Sequence, residues 1–196
     1  MANNTPRISA SLCLDLTIYS VSSDKPPHLN LTITSHYTDA ITIFADDLSP
    51  RLITQSGSAL IITDLADNTV VKQTMRTNCR IPLPKKVTVP LDESLFHTLH
   101  PNRPLTLSAS FTGPSNRHTA NGGESLKPGH KYMITLSGSQ RLRWDRIRWW
   151  EYGTKDEVLA KRLDAREVRY GRGPHEPIEI DITGISERPI YLDCEH

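Results

Sequence analysis

Cysteine is scarce in this 196-residue chain, and what there is does not pair by spacing. The three cysteines are Cys13, Cys79 and Cys194. An odd count at such wide intervals excludes a disulfide framework and a zinc site of the C-x-x-C kind. Long apolar runs are also missing, and no stretch approaches the ~20 residues that a membrane-spanning helix needs. No strong excess of one charge is present either: the net charge is +1. That argues against a chain whose whole surface binds nucleic acid or membrane, so any electrostatic function must come from a local patch. The opening residues 1–10 show no basic segment followed by an apolar one, so no secretory signal is expected. The expected location is the cytoplasm or nucleus, with reduced thiols. Catalytic signatures are equally sparse. There is no G-x-S-x-G elbow and no H-E-x-x-H pair, and Gly171-Arg172-Gly173 lacks the strand-to-helix setting of a phosphate loop. Accordingly, no cofactor and no metal is expected.

What is present is a rhythm of short alternating segments. Leu12, Leu14, Leu16 and Ile18 alternate with polar residues, as do Leu29, Leu31 and Ile33. Ile41 to Phe44, Ala59 to Thr63 and Val70 to Thr74 follow, then Val87 and Val89, then Leu105 to Phe111. Lys131 to Ser137, Ile178 to Ile182 and Ile190 to Cys194 complete the set. Period-two alternation rich in Val, Ile and Thr marks half-buried strands, and turn residues separate them at the spacing of sandwiches and barrels. Asp92 is placed to cap a helical turn running to Leu99. Thr154-Lys155-Asp156-Glu157 has the form of a capping box opening a short helix to about Asp164, and residues 166–174 read as a basic loop. No βαβ rhythm appears. The expected fold is all-β: one antiparallel, immunoglobulin-like sandwich of about ten short strands with one or two short helices, over residues 8–196 behind a flexible tail of residues 1–7. An up-and-down β-barrel is the alternative.

The stretch from Leu126 to Gly153 organises the rest. Pro128-Gly129 is a turn signal, because proline presets φ and glycine accepts the positive φ of a type II turn. Leu99-x-Pro101-Asn102 and Leu126-x-Pro128-Gly129 both lead into a strand, which reads as one turn chemistry used twice. The Leu126-x-Pro128-Gly129-x-x-Tyr132 turn resembles a feature of immunoglobulin-like domains, including small proteinase-inhibitor-like sandwiches. Taken with Phe96-x-x-Leu99-x-Pro101 and Trp149-Trp150-x-Tyr152-Gly153, it is similar to small uncharacterised intracellular β-sandwich proteins of filamentous fungi. The resemblance spans about residues 8–196 and implies a fold. It carries no catalytic residue.

Function is expected where aromatics and cations interleave. Arg141, Arg143, Arg146 and Arg148 alternate with Trp144, Trp149, Trp150 and Tyr152. Between Arg141 and Arg172 there are ten Lys/Arg against six Asp/Glu, a net +4, with −3 elsewhere. The first expectation is a non-catalytic module whose recognition surface is Trp144, Arg146, Arg148, Trp149, Trp150 and Tyr152, facing a protein partner or a second copy. Against it stands a plainer arrangement, in which the tryptophans plug the sandwich and the arginines reach outward. Stacked bases on the rings would suit single-stranded nucleic acid, a weaker fit at this net charge. The alternative function is a cofactor-independent enzyme or carrier for a small molecule, such as a secondary-metabolite cyclase or isomerase, with an aromatic pocket and Arg146 or Arg148 stabilising developing negative charge. His97 and His100, three apart, would share a helical face but lack a third metal ligand.

Overall fold

The computed structural model describes residues 5–20, 25–50, 60–71, 90–111, 126–137, 146–184 and 189–195. The described strands are β1 (Ile8–Leu14), β2 (Ile18–Ser20), β3 (His28–Ser35), β4 (Ile41–Phe44), β5 (Leu60–Asp64), β6 (Thr69–Val70) and β7 (Phe96–Leu99). They continue with β8 (Leu105–Ser110), β9 (Lys131–Leu136), β10 (Arg146–Ile147), β11 (Trp150–Tyr152), β12 (Ile178–Gly184) and β13 (Ile190–Glu195). Two one-turn helices, α1 (Lys155–Leu159) and α2 (Ala165–Arg169), lie between β11 and β12. The strands form three sheets, in the orders β10-β12-β1-β3-β8, β11-β4-β7 and β2-β13-β9-β5-β6. The result is an all-β sandwich. Most pairings are antiparallel, but β1 with β12 and β2 with β13 run parallel.

Alternation builds the core. In β1 the inward residues are Ile8, Ala10 and Leu12, and in β3 they are Leu29, Leu31, Ile33 and Ser35. Their register sets Leu12 opposite Leu31 and Ala10 opposite Ile33. One apolar cluster joins these to Ile41, Ile43 and Leu99 of the second sheet and to Ile62, Tyr132, Ile134 and Leu192 of the third. A second cluster, made of Phe44, Phe96, Trp149, Val158 and Val168, lies under the two helices. Strand β4 is buried at all four positions. Ile41 and Ile43 feed the large cluster while Phe44 feeds the small one. This short strand therefore holds the helical layer to the sandwich.

Two segments differ from the sequence reading, each for a physical reason. The run from Leu12 to Ile18 is not one strand. It breaks at residues 15–17, where the Asp15 side chain accepts the His28 N–H at 2.6 Å. The chain then crosses to the third sheet, where β2 pairs with β13. The crossing leaves Leu16 and Ile18 exposed and buries Tyr19 instead. Asp92 does cap a helical turn, accepting the Ser94 N–H at 2.9 Å. That turn is a 3-10 turn of three residues, and β7 follows at once. His97 and His100 consequently lie on and just beyond a strand, where a spacing of three puts residues on opposite sides. The candidate strand at residues 87–89, and residues 72–74 of the one expected at 70–74, lie outside the described residues.

The Leu126–Tyr132 corner behaves as its sequence suggests. Gly129 has φ +83°, and the His130 N–H bonds to the Lys127 carbonyl across the turn at 3.2 Å. The matching turn at 100–103 closes the same way at 3.2 Å, with Asn102 at φ +54°. The phenol of Tyr132 folds back to accept the Lys127 N–H at 2.7 Å. A tyrosine bonded to backbone a few residues upstream is the tyrosine corner of immunoglobulin-like sandwiches. Asp64, a buried carboxylate on β5, lies near this phenol. Burial first, and Asp64 with it, pushes the Tyr132 phenol up, against the pull of the Lys127 bond. Asp64 accepts from His130 Nδ1 at 2.8 Å and from the Ala66 N–H at 3.0 Å. These two donors offset the desolvation of the buried carboxyl group.

Tyr132→Phe would leave the Lys127 N–H without its acceptor. A loss of about 1–3 kcal/mol with the fold retained is expected in urea denaturation. An unchanged midpoint would show that water replaces the hydroxyl at no cost.

Candidate interaction surface

The interleaved Arg/Trp segment separates into an outside and two insides. Trp149 and Trp150 are each 3% exposed. Neighbouring residues on extended chain point to opposite sides, and these two indoles enter different clusters. Trp150 joins the large core, opposite Ile43 in register, and its Nε1–H donates to the Glu176 carbonyl at 2.8 Å. Trp149 joins the small cluster, edge-on to Phe96 with ring centroids 5.5 Å apart. Neither indole presents a surface to a partner. The two tryptophans expected as recognition anchors are framework residues, because each fills a core that the sheet and helices close over. Arg146, Arg148 and Tyr152 are exposed, as expected. Trp144, with Arg141 and Arg143, lies outside the described residues.

Residues 165–172 continue the exposed arginines. The Asp164 carboxylate starts α2 by accepting the Arg166 and Glu167 N–H groups at 2.8 and 3.1 Å. Val168 points into the small core, which turns Arg166, Arg169 and Tyr170 outward. Gly171 then follows at φ +64°. A Cβ on Gly171 would sit 2.6 Å from the Cβ of Arg148, so the missing side chain lets this segment lie against β10–β11. A basic face results. Arg146, Arg148 and Arg169 surround a recess over Trp149, with Asp46 at its rim. The Arg169 guanidinium donates to the Pro90 carbonyl. Beside α2 lies an open depression of about 510 Å³ lined by Arg162, Leu163, Asp164, Ala165 and Arg166.

Tyr170 stands on this face. It is 64% exposed. The guanidiniums of Arg166 and Arg172 lie 5.9 and 5.8 Å from its ring centroid. Contacts of this kind are worth ~0.5–1 kcal/mol each at an exposed site. Sequence reading passed over Tyr170 because it counted residues 166–174 as a basic loop. The signal available was the i, i+4 spacing of Arg166 and Tyr170 on a helical turn.

The recess over Trp149 has a cavity volume of about 10 Å³, the scale of a single water. Among the described residues it therefore offers no chamber for a metabolite. Nor does any group of three His, Cys, Asp or Glu side chains converge among them. Cys13 is exposed and Cys194 buried, and burial pushes the Cys194 thiol up, away from nucleophilic thiolate. No helix among the described residues is long and apolar enough to cross a membrane. No family model matches the chain, and no curated protein matches it significantly.

Two expected outcomes follow from these placements. Trp149→Ala and Trp150→Ala should each destabilise by about 3–5 kcal/mol, whereas Tyr170→Ala should cost no more than about 1–2 kcal/mol, the two cation–π contacts it loses. Thermal unfolding followed by circular dichroism checks this, and native-like melting of both tryptophan variants would remove them from the core. His97 is held below its ordinary pKa by burial first and by Lys155 second. The unfolded chain therefore takes up that proton before the folded one does, and stability falls as pH drops through 6.5 toward the folded value. His97→Gln should flatten the Tm profile between pH 7.5 and 5 relative to the parent chain; parallel profiles would exclude His97 as the cause.

Proposed function

We propose that the protein is a non-catalytic interaction module that takes an acidic segment of a protein partner on the face formed by Arg146, Arg148, Arg166, Arg169, Tyr170 and Arg172. The observation that carries this is Tyr170, an exposed ring with two guanidiniums within 6 Å of its centroid. Tyrosine and arginine supply large contact area together with planar, bidentate carboxylate recognition. The buried Trp149 beneath keeps the arginine stems in place, so less ordering remains to be done on binding. The open depression beside Arg166 lengthens the face enough for an extended segment. The small-molecule alternative, with an aromatic pocket walled by Trp144, Trp149, Trp150 and Tyr152, draws less support, since two of its walls are core.

Fluorescence anisotropy with a dye-labelled Asp/Glu-rich peptide containing one aromatic residue tests the proposal, with a Lys-rich peptide as control. The parent chain should bind the acidic peptide alone, more weakly as salt rises. Tyr170→Ala combined with Arg172→Glu should weaken binding about tenfold or more, equivalent to ~1.4 kcal/mol. Equal binding by the variant, or no preference for the acidic peptide, would remove the proposal. Sedimentation velocity on the same samples identifies a second copy as the partner if a dimer forms and this variant dissolves it.

A further inference from the structure

A second polar cluster lies at the free edge of β11, built on Glu151. This carboxylate is 18% exposed on its side chain. All three of its contacts fall on one oxygen. Oε1 accepts the Tyr152 N–H at 3.0 Å, lies 3.3 Å from His175 Nε2 and lies 3.7 Å from Lys161 Nζ. The Tyr152 bond has a structural purpose: β11 pairs only with β4 among the described strands, and Glu151 covers an N–H on the other edge. That purpose accounts for Oε1. It leaves Oε2 without a protein donor among the described residues, on a side chain that still reaches the surface.

Rings crowd the same place. His175 stacks on Trp150 with centroids 4.3 Å apart, and Tyr152 meets Trp150 and His175 edge-on, each at 5.0 Å. Tyr37 adds a fourth ring 5.8 Å from Tyr152. Asp39, exposed in the loop beside Tyr37, brings a second carboxylate. The local field is negative: after burial and the Tyr37 hydroxyl, Glu151 and Asp39 both push the Tyr152 phenol up. Aromatic rings beside a part-buried carboxylate favour an organic cation over a bare ion, because the rings attract its charge and cover its alkyl stem.

We propose that Glu151, with Tyr152, Tyr37 and His175 around it, binds an alkylammonium group, carried by a lysine side chain or by a free amine. The chain already shows the chemistry. Lys161 brings its own ammonium to Glu151, but at 3.7 Å and with a half-exposed side chain. A charge-assisted bond at full strength is about 2.7–2.9 Å, so Lys161 is a loosely held internal occupant that an external ammonium can displace. The site is separate from the Tyr170 face and does not depend on its function.

The test is an NMR titration of ¹⁵N-labelled protein with n-butylammonium chloride and, separately, with the peptide acetyl-Gly-Lys-Gly-amide. Sodium chloride at matched ionic strength is the control. The Tyr152 amide and the Trp150 indole N–H should shift saturably, with a dissociation constant on the order of millimolar. Glu151→Gln should abolish saturation. Lys161→Ala should tighten binding severalfold by removing the internal competitor, a direction that a purely structural ion pair would not produce. Equal affinity for the two probes shows that the ammonium alone is read, and tighter peptide binding identifies lysine as its source. No saturable shift beyond the salt control, or a Lys161→Ala variant no tighter than the parent, overturns the proposal. The Lys161→Ala arm decides the matter even if Glu151→Gln unfolds.

Discussion

The period-two alternation at Trp149-Trp150 is the constraint on which the functional half of the molecule depends. One indole enters the sandwich and the next enters the layer under the helices. Because both are large and buried, they fix the strand in register and fix what lies above it on either side. Gly173 packs on the Trp149 indole, and Gly171 packs on the Arg148 stem beside it. Trp150 is the plate on which His175 stacks, and through His175 it orients the Glu151 edge. A slip of one residue would exchange the two indoles and turn both surfaces over.

The two surfaces differ in sign although residues 146–152 contribute to both. The first gathers guanidiniums around an exposed tyrosine, and the second gathers rings around a carboxylate. At a net charge of +1, neither would be visible in the total. Fields screened over ~8 Å at physiological salt act within each face rather than across the molecule. One small module can therefore present a basic and an acidic contact side by side without either cancelling the other.

Elsewhere, stability depends on burying polar groups with complete partners. Asp64 is the clearest example, since His130 and Ala66 both serve it. Thr42 is another: buried within β4, it donates to the Gly153 carbonyl at 2.8 Å and so ties the residue that follows β11 to β4. The capping box at Thr154–Glu157 begins α1 directly afterwards. A buried side chain, a glycine and a cap in succession bring the chain off the sheet and into the helices.

Local chemistry was legible in the residues. Pro128-Gly129 and Pro101-Asn102 form the turns their types demand, Thr154 and Glu157 form their capping box, and the alternation in β3, β9 and β13 shows which side chains face inward. These depend on φ preferences and side-chain period, which act over a few residues. What lay between distant segments was not legible. Leu12 to Ile18 reads as one strand, and only the Asp15–His28 contact breaks it between two sheets. Trp149 and Trp150 read as anchors on a surface, because no local rule says that β4 and the helices will cover both. Tyr170 reads as part of a basic loop, because its exposure depends on Val168 finding the small core. Residue type and period determined the strands, the turns and the caps. Burial decided which aromatics hold the fold and which stand exposed, since burial belongs to the packed whole and not to any single stretch of chain.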